Sequence, residues 1–387
     1  MSRDNSADSN VILPGAWLGM LGGGQLGRMF THAAQRMGYH VAVFESRPDC
    51  PAAQSADRFF SSNEDSDSNL RALANLCDAV SLEFENIDAA SVDIVAESTA
   101  ARPGAHFLRI CQNRILEKQS LADAGFPTTP FAAVTSADEV IKASETLDWP
   151  LVLKTATSGY DGKGQAIVRS EDELEAAWAA LQSDNVIAEK WIPFDREVSL
   201  ITARSGKGEM VSYPLFENEH SNHILDVTRC PASPELLELE SSAIEIGRGI
   251  ADAFDVVGLF CVEFFVTQDG QLLINEIAPR PHNSGHITME AFDISQFDLQ
   301  VRAICNLPLP QPTLRRPGAM ANLLGDIWAD GEPRWTEALQ TADAHLHLYG
   351  KPSPRPGRKM GHLNVLSDSA DQAVAHAKKI RSNLAPT

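Results

Sequence analysis

Val256-Val257-Gly258-Leu259-Phe260-Cys261-Val262-Glu263-Phe264-Phe265-Val266-Thr267-Gln268-Asp269-Gly270-Gln271-Leu272-Leu273-Ile274-Asn275-Glu276-Ile277-Ala278-Pro279-Arg280-Pro281 sets two apolar, β-rich runs on either side of Asp269-Gly270. Asp-Gly between such runs is the strongest short signal for a two-residue hairpin turn. Pairing Gln268 with Gln271 across the turn and counting outward puts Glu263 directly opposite Glu276. Like charges at facing positions of a strand pair repel, so two glutamates among Val, Phe, Leu and Ile imply a cation between them. Oxygen ligands on two rigid strands suit Mg²⁺, which takes one or two carboxylates and leaves its other positions to phosphate and water. Two solvated carboxylates on an exposed hairpin face are the plainer alternative, and a one-residue slip in register would separate the pair.

The rest of the chain is long enough for two or three domains, at 387 residues. Its 43% apolar and 22% charged residues are ordinary globular composition. A formal net charge of −20 weighs against a nucleic-acid or membrane-surface binder, since both require basic surface. Six scattered cysteines show no metal spacing, and several lie in apolar runs, as buried free thiols of a reducing compartment would. No apolar stretch approaches the roughly 18 to 20 residues of a membrane span. The polar, acidic start MSRDNSADSN reads as a disordered tail over 1–14 rather than a signal peptide. A cytoplasmic, multidomain protein is the expectation.

Along the chain, strand Ala16–Leu21 runs into Gly22-Gly23-Gly24-Gln25-Leu26-Gly27 and a helix over Arg28–Met37; strands follow at His40–Phe44 and Asp78–Phe84. This alternation predicts a largely parallel βαβ sheet. A helix over Leu108–Ala124 ends at Gly125-Phe126-Pro127. A small α+β unit comes next, with strands Leu151–Thr155 and Gln165–Arg169 bracketing a Gly-rich turn. A meander from Val198 and a helix over Pro234–Phe254 lead into the hairpin.

Four further clusters carry chemistry. Gly22–Gly27 matches G-x-G-x-x-G between a strand and a helix, with Glu45 a suitable distance on; amides at a helix N-terminus bind phosphate, and the acid would take a ribose. A tight turn without a ligand has the same pattern. Gly159-Tyr160-Asp161-Gly162-Lys163-Gly164 lacks the P-loop spacing, yet a flexible Gly-rich hairpin can lay its N–H groups over a triphosphate, with Lys154 in the strand below neutralising charge. Lys351, Arg355, Arg358 and Lys359 crowd a Pro- and Gly-rich stretch of an acidic protein, a pattern suited to phosphate capture and also to a solvated charge run. Arg280-Pro281-His282-Asn283-Ser284-Gly285-His286 leaves the metal strand directly. Its Pro and Gly make a helical zinc pair of His282 and His286 a weak reading, and donors around a reacting anion a better one.

In this order the motifs G-G-G-Q-L-G-R-M, S-G-Y-D-G-K-G-Q, N-E-I-A-P-R-P-H-N-S-G-H and P-R-P-G-R-K-M-G-H-L-N resemble the ATP-grasp superfamily, and more narrowly its N5-carboxyaminoimidazole ribonucleotide synthetase family of purine biosynthesis. The resemblance spans about Trp17 to the last helix. It implies an α/β and α+β ATP-grasp fold: a Rossmann-like (pre-ATP-grasp) N-terminal domain over 15–125, a small ATP lid domain over 126–204, and a C-terminal metal and substrate domain over 205–387 with a β-rich and helical end at 311–387. It further implies a homodimer, ATP and Mg²⁺ as cofactors, and bicarbonate and 5-aminoimidazole ribonucleotide as substrates.

Residue by residue, the resemblance implies that Arg114, Lys154 and Gly159, Tyr160, Asp161, Gly162, Lys163, Gly164 and Gln165 hold ATP phosphates. Glu189, Lys190, Trp191 and Ile192 would meet adenine, with Glu197 on the ribose and His220 near the nucleotide. Glu263 and Glu276 would hold Mg²⁺; Asn275 belongs to the motif, although strand alternation turns it to the other face. Ala278 stands where many members of the superfamily have Asn. Gly24, Gln25 and Leu26 with Lys351, Arg358 and Lys359 would grip the ribonucleotide phosphate; Tyr160, Asp161 and Glu83 or Glu85 would contact the rest of that substrate. Arg280, His282, Asn283 and Lys154 would be catalytic, orienting bicarbonate and offsetting charge as carboxyphosphate forms.

Three other readings compete. A formate-using glycinamide ribonucleotide transformylase has parallel chemistry, but H-N-S-G-H favours the carboxylating family. An NAD-dependent oxidoreductase built on Gly22–Gly27 and Glu45 leaves the Tyr160 loop, the paired carboxylates and the basic stretch without a task, and a non-catalytic nucleotide sensor of the same fold would have no turnover for Glu276→Ala to abolish.

Overall fold

The computed structural model describes residues 10–157 and 164–385. Three sheets organise them. The first is parallel, in the spatial order Arg58–Ser61, His40–Glu45, Trp17–Leu21, Ala79–Leu82, Ala100–Ala101. Val41 to Val43 and Leu18 to Leu21 are buried without alternation, as strands covered on both faces must be. Connections leave the central strand Trp17–Leu21 in opposite directions. The crevice at its C-terminal end, where Gly22 to Gly24 lie, is therefore the switch point at which such sheets bind ligands.

The single helix expected over Leu108–Ala124 is two, Ala105–Gln112 and Arg114–Asp123. Asn113 breaks it: the side-chain Oδ1 accepts from the amides of Ile115 and Leu116 at 3.0 and 3.1 Å, an N-cap that satisfies two otherwise orphaned donors. The second helix thereby turns Arg114, Glu117 and Lys118 toward the hairpin.

The small sheet is antiparallel, in the order Phe131–Val134, Val186–Lys190, Leu151–Thr155, Gln165–Val168, with helices Ala137–Leu147 and Glu171–Leu181. Gly159 to Lys163 lie outside the described residues. Strand Phe194–Arg204, assigned above to the lid, instead hydrogen-bonds along its length to Gly258–Thr267 in the third sheet. The lid sheet thus closes at Lys190. The reason is apolar: Val198, Leu200 and Ile201 belong in the core under the hairpin.

The third sheet has nine strands. One edge is the hairpin Gly258–Thr267 and Leu272–Ala278, and the basic stretch leads into Lys359–Leu366 near the other edge. Both expected motifs therefore rise from one rigid platform, backed by helix Ala370–Leu384.

The hairpin holds a correction. Glu263 does pair with Glu276, but the turn differs from the two-residue form expected. The Thr267 N–H donates to Gln271 O at 2.9 Å, and the Gly270 N–H to Thr267 O at 2.9 Å, with Gly270 at φ 78°. This is a three-residue loop with Gly in the left-handed position. Val266 consequently faces Leu272 and Phe264 faces Ile274, one residue out of the expected register. A bulge between Phe264 and Glu263 inserts Asn275 unpaired and restores the alignment, so Glu263 meets Glu276.

Candidate active site

Glu263 and Glu276 open into a cleft of about 760 Å³ between hairpin and lid, within the size range of small-molecule sites. Each carboxylate has a nitrogen partner. Glu263 Oε1 lies 2.7 Å from His282 Nε2, and Glu276 Oε2 accepts from Arg114 Nη1 at 2.8 Å. Burial pushes the Glu263 carboxyl up, but His282, through the hydrogen bond it donates, together with His220 and Arg280, outweighs it and holds it down to about 2. The bulge alters the expectation for Asn275. Its side chain lines the same cleft as Glu276 rather than the opposite face, and its Oδ1 is buried without a partner.

These residues fit a hard cation. Two carboxylates face each other on rigid strands beside an unpartnered amide oxygen, an all-oxygen set of the kind Mg²⁺ takes. Among the described residues no group of three His, Cys, Asp or Glu could hold a metal by itself. With Ala278 at the other motif position, the protein supplies few ligands and leaves room for phosphate oxygens.

On the lid side, Lys154 Nζ donates to Glu189 Oε2 at 3.1 Å. A residue the motifs did not reveal joins them: Lys118, 1% exposed, donates to Thr129 Oγ1 at 2.9 Å and Ile274 O at 2.8 Å, and lies 3.9 Å from Glu189 Oε2. Burial pushes Glu189 up, yet Lys118 and Lys154 bring it down to about 2. Its other oxygen, Oε1, is buried and unpartnered. Sequence pattern could not find Lys118, since a helical lysine ordinarily reads as surface. Glu117, 2% exposed and accepting from the Ile277 amide at 2.7 Å, was missed for the same reason. Gln165, Lys190, Trp191, Ile192, Glu197 and His220 line this part of the cleft, and Glu197 Oε2 sits 2.8 Å from His220 Nδ1. Gly164, at φ 69°, ends the turn where a Cβ would stand 2.6 Å from Thr155 Oγ1.

Beyond the hairpin, Arg280 pairs with Glu85. Burial raises the Glu85 carboxyl, and Arg280 overrides it, to about 2. Asn283 borders the cleft with both amide atoms buried and unpartnered. The two histidines of this loop part company. His282 faces Glu263, whereas His286 stacks between Phe297 and His362 at ring distances of 5.9 and 4.6 Å. They form no zinc pair.

At the Gly-rich turn the amides are occupied by the chain itself. The Gly23 N–H donates to Glu45 Oε2 at 3.1 Å, Gly24 N–H donates to Glu83, and Leu26 N–H to Glu83 Oε1 at 3.1 Å. Glu45, the acid a dinucleotide reading needs for its ribose, is thus committed to the turn. Burial raises the Glu83 carboxyl despite these donors. A Cβ at Gly23 would stand 2.3 Å from Cys50 Sγ, so the turn closes only on glycine there. Lys351 Nζ donates to Lys359 O at 2.7 Å, and its charge reaches Glu83. Arg358 donates to Ser353 O at 2.7 Å, and burial, with the neighbouring Arg355 and Arg47, lowers its affinity for a proton. Arg47 went unnoticed in the sequence because it lies some three hundred residues from that loop. Lys359 lines the cleft of the paired carboxylates, so the basic stretch spans from the Gly-rich turn to the hairpin.

The chain matches the ribonucleotide synthetase preATP-grasp domain over residues 16–112, the ATP-grasp domain over 119–297, and the phosphoribosylaminoimidazole carboxylase C-terminal domain over 318–376. It is 40% identical to the N5-carboxyaminoimidazole ribonucleotide synthase of Bacillus subtilis (strain 168), across 94% of this chain and 95% of that protein. Among solved structures, the Staphylococcus aureus N5-carboxyaminoimidazole synthetase complexed with ADP superposes with a TM-score of 0.90 at 37% identity, covering 97% of this chain and 99% of that one. The Aspergillus clavatus N5-carboxyaminoimidazole synthase, in complex with ADP and 5-aminoimidazole ribonucleotide, superposes with a TM-score of 0.87 at 32% identity, covering 95% and 98%. No helix among the described residues is long and apolar enough to cross a membrane.

Proposed function

The chain belongs to the N5-carboxyaminoimidazole ribonucleotide synthase family, and from that premise we propose how its residues divide the work. It is an ATP-binding, ATP-grasp carbon–nitrogen ligase that carboxylates 5-aminoimidazole ribonucleotide to N5-carboxyaminoimidazole ribonucleotide in purine biosynthesis.

The observation that carries the residue assignment is the facing pair Glu263 and Glu276, with His282 and Asn283 leaving the end of the same strand. In this reading Arg114, Lys154, Gln165 and the 159–164 loop hold ATP phosphates. Glu189 to Ile192 receive adenine, Glu197 takes the ribose, and His220 lies beside the nucleotide. Glu263 and Glu276 hold Mg²⁺, which when bound supplies positive charge to the phosphate oxygens. Asn275, turned into the cleft by the bulge, adds an oxygen to that end of the site.

Bicarbonate, oriented by His282 and Asn283, attacks the γ-phosphorus with one oxygen. The bond to the β–γ bridging oxygen breaks, giving ADP and carboxyphosphate, while Lys154 and Arg280 offset charge on the transferring group. The 5-amino nitrogen then forms a bond to the carboxyl carbon, phosphate departs, and the amine loses a proton. Lid closure keeps water from the intermediate. At the ribonucleotide, Gly24, Gln25 and Leu26 with Lys351, Arg358 and Lys359 receive phosphate, for which the Glu83 carboxylate must yield its amides. Tyr160, Asp161 and Glu83 or Glu85 contact the remainder. A cytoplasmic homodimer completes the reading.

Labelled bicarbonate tests it, followed into ribonucleotide alongside ADP release. Label entering one-for-one with ADP, only with ATP, Mg²⁺ and 5-aminoimidazole ribonucleotide together, is the expected result. ADP without incorporation would overturn bicarbonate as the phosphoryl acceptor.

A further inference from the structure

His282 is held from both sides of its ring, and the two holds agree on where its proton lies. Nε2 faces Glu263 Oε1 at 2.7 Å, a carboxylate that can only accept. Nδ1 receives the Ser284 backbone N–H at 3.3 Å and lies 2.8 Å from Ser284 Oγ. A backbone amide can only donate, so Nδ1 carries the lone pair and Nε2 the hydrogen.

That assignment sets the direction of a longer chain. Ser284 Oγ must donate to Nδ1, leaving its lone pairs for Ser199 Oγ, 2.8 Å away. Ser199 in turn accepts from Asn218 Nδ2 at 3.0 Å, and Thr228 Oγ1 donates to Asn218 Oδ1 at 2.9 Å. Ser284, Ser199 and Thr228 are 0% exposed and Asn218 is 5% exposed, so water does not scramble these bonds. The Cys261 thiol beside Ser199 is a weaker partner and does not compete. Four side chains on four segments, three of them strands of the large sheet, thus point their hydrogens one way, toward His282. The reverse arrangement is chemically possible only with Nδ1 protonated and Asn218 flipped, and the Ser284 N–H opposes it.

We propose that Ser284, Ser199, Asn218 and Thr228 are positioning residues that hold His282 as its Nε2–H tautomer, so that the ring's one donor points at the Glu263 end of the cleft, where Glu263 Oε1 accepts it and bicarbonate bound alongside shares it. This rests on the reading of His282 as a bicarbonate ligand. The chain acts through His282 and touches no substrate. It explains why a polar string runs through a sheet interior where apolar side chains would pack at lower desolvation cost, and it is the kind of outer support that fixes ring orientation and tautomer in catalytic histidines generally.

The test uses full-length enzyme with ¹⁵N-labelled histidine, comparing wild type, Ser199→Ala, Thr228→Val and Ser284→Thr, with His282→Gln to assign the signal. Thr228→Val keeps the side-chain volume and removes only the far anchor, so it remains informative should Ser199→Ala fail to fold. The expected result is a wild-type His282 spectrum of a single Nε2–H tautomer. In Ser199→Ala and Thr228→Val it becomes a mixture, and KM for bicarbonate rises about fivefold to tenfold, the equivalent of one lost hydrogen bond, while KM for ATP stays unchanged. Ser284→Thr, which retains the hydroxyl, should keep the wild-type spectrum. An unchanged His282 spectrum in Ser199→Ala and Thr228→Val overturns the positioning role. A shifted spectrum with unaltered bicarbonate KM supports the positioning role and overturns His282 as the bicarbonate ligand.

Discussion

Replacing Glu189 by Gln should destabilise the protein by about 3 kcal/mol at neutral pH, and two independent routes give that size. Glu189 is 2% exposed, and Lys154, Lys118 and Thr129 converge on its Oε2. Its carboxyl is held at about 2, below the ordinary glutamate value of 4.5, because the two lysines outweigh the upward push of burial. A depression of that order corresponds to roughly 3 kcal/mol at 1.36 kcal/mol per unit. Removing one member of a buried ion group costs about 3–5 kcal/mol, because the partners are left charged and uncompensated. Here those partners are two lysines. The sign follows from linkage: a depressed folded pKa makes the contribution complete above 4.5, and it is lost as pH falls from there toward 2. Thermal melting followed by circular dichroism, at pH 7 and again at pH 3.5, reads both parts. A loss of about 6–10 °C at pH 7 is expected, with a gap that narrows in acid as wild type protonates. A variant melting within about 2 °C of wild type at pH 7, or a gap that widens on acidification, would refute the reasoning.

Three other outcomes follow from the same geometry. Glu276→Gln should keep the fold but lower ADP formation by about a hundredfold or more, the scale for loss of preorganised charge stabilisation at a transferring group; unchanged turnover in a coupled ADP assay would remove the metal assignment. Gly23→Ala places a Cβ 2.3 Å from Cys50 Sγ and 2.6 Å from Glu45 Cγ; it should cost about 1–3 kcal/mol of stability and raise KM for the ribonucleotide, both measurable on the purified variant. Burial brings Lys118 down to about 8 from 10.5, so between those values the unfolded chain binds more protons and stability rises with pH. Lys118→Met should abolish that rise, seen as a wild-type minus variant melting difference that changes between pH 7.5 and 10; a constant difference would contradict it.

Local chemistry in the sequence was enough for the class of fold and the main chemical motifs. Alternating strands and helices before Gly125 announce a parallel sheet because each element's pattern is local. The paired glutamates, the Gly-rich turn and the basic loop are legible because each motif is contiguous. What tertiary structure decided is every relation between distant segments. Glu263 meets Glu276 through two departures, a three-residue turn and a bulge at Asn275, that cancel in register; a count outward from the turn reaches the right pair by a path the chain does not take. The bulge also turns Asn275 into the cleft, against the alternation rule. Lys118 reads as an ordinary helical lysine until the hairpin strand and the lid strand close over it, and Ser199 and Asn218 read as polar interruptions until Ser284 arrives beside them. Phe194–Arg204 joins the large sheet because its apolar side chains find the hairpin core, a choice made by packing partners more than fifty residues away. Sequence determines what each segment can do within its own few turns; the desolvated, charge-paired interior that gives those groups their protonation states exists only once the segments meet.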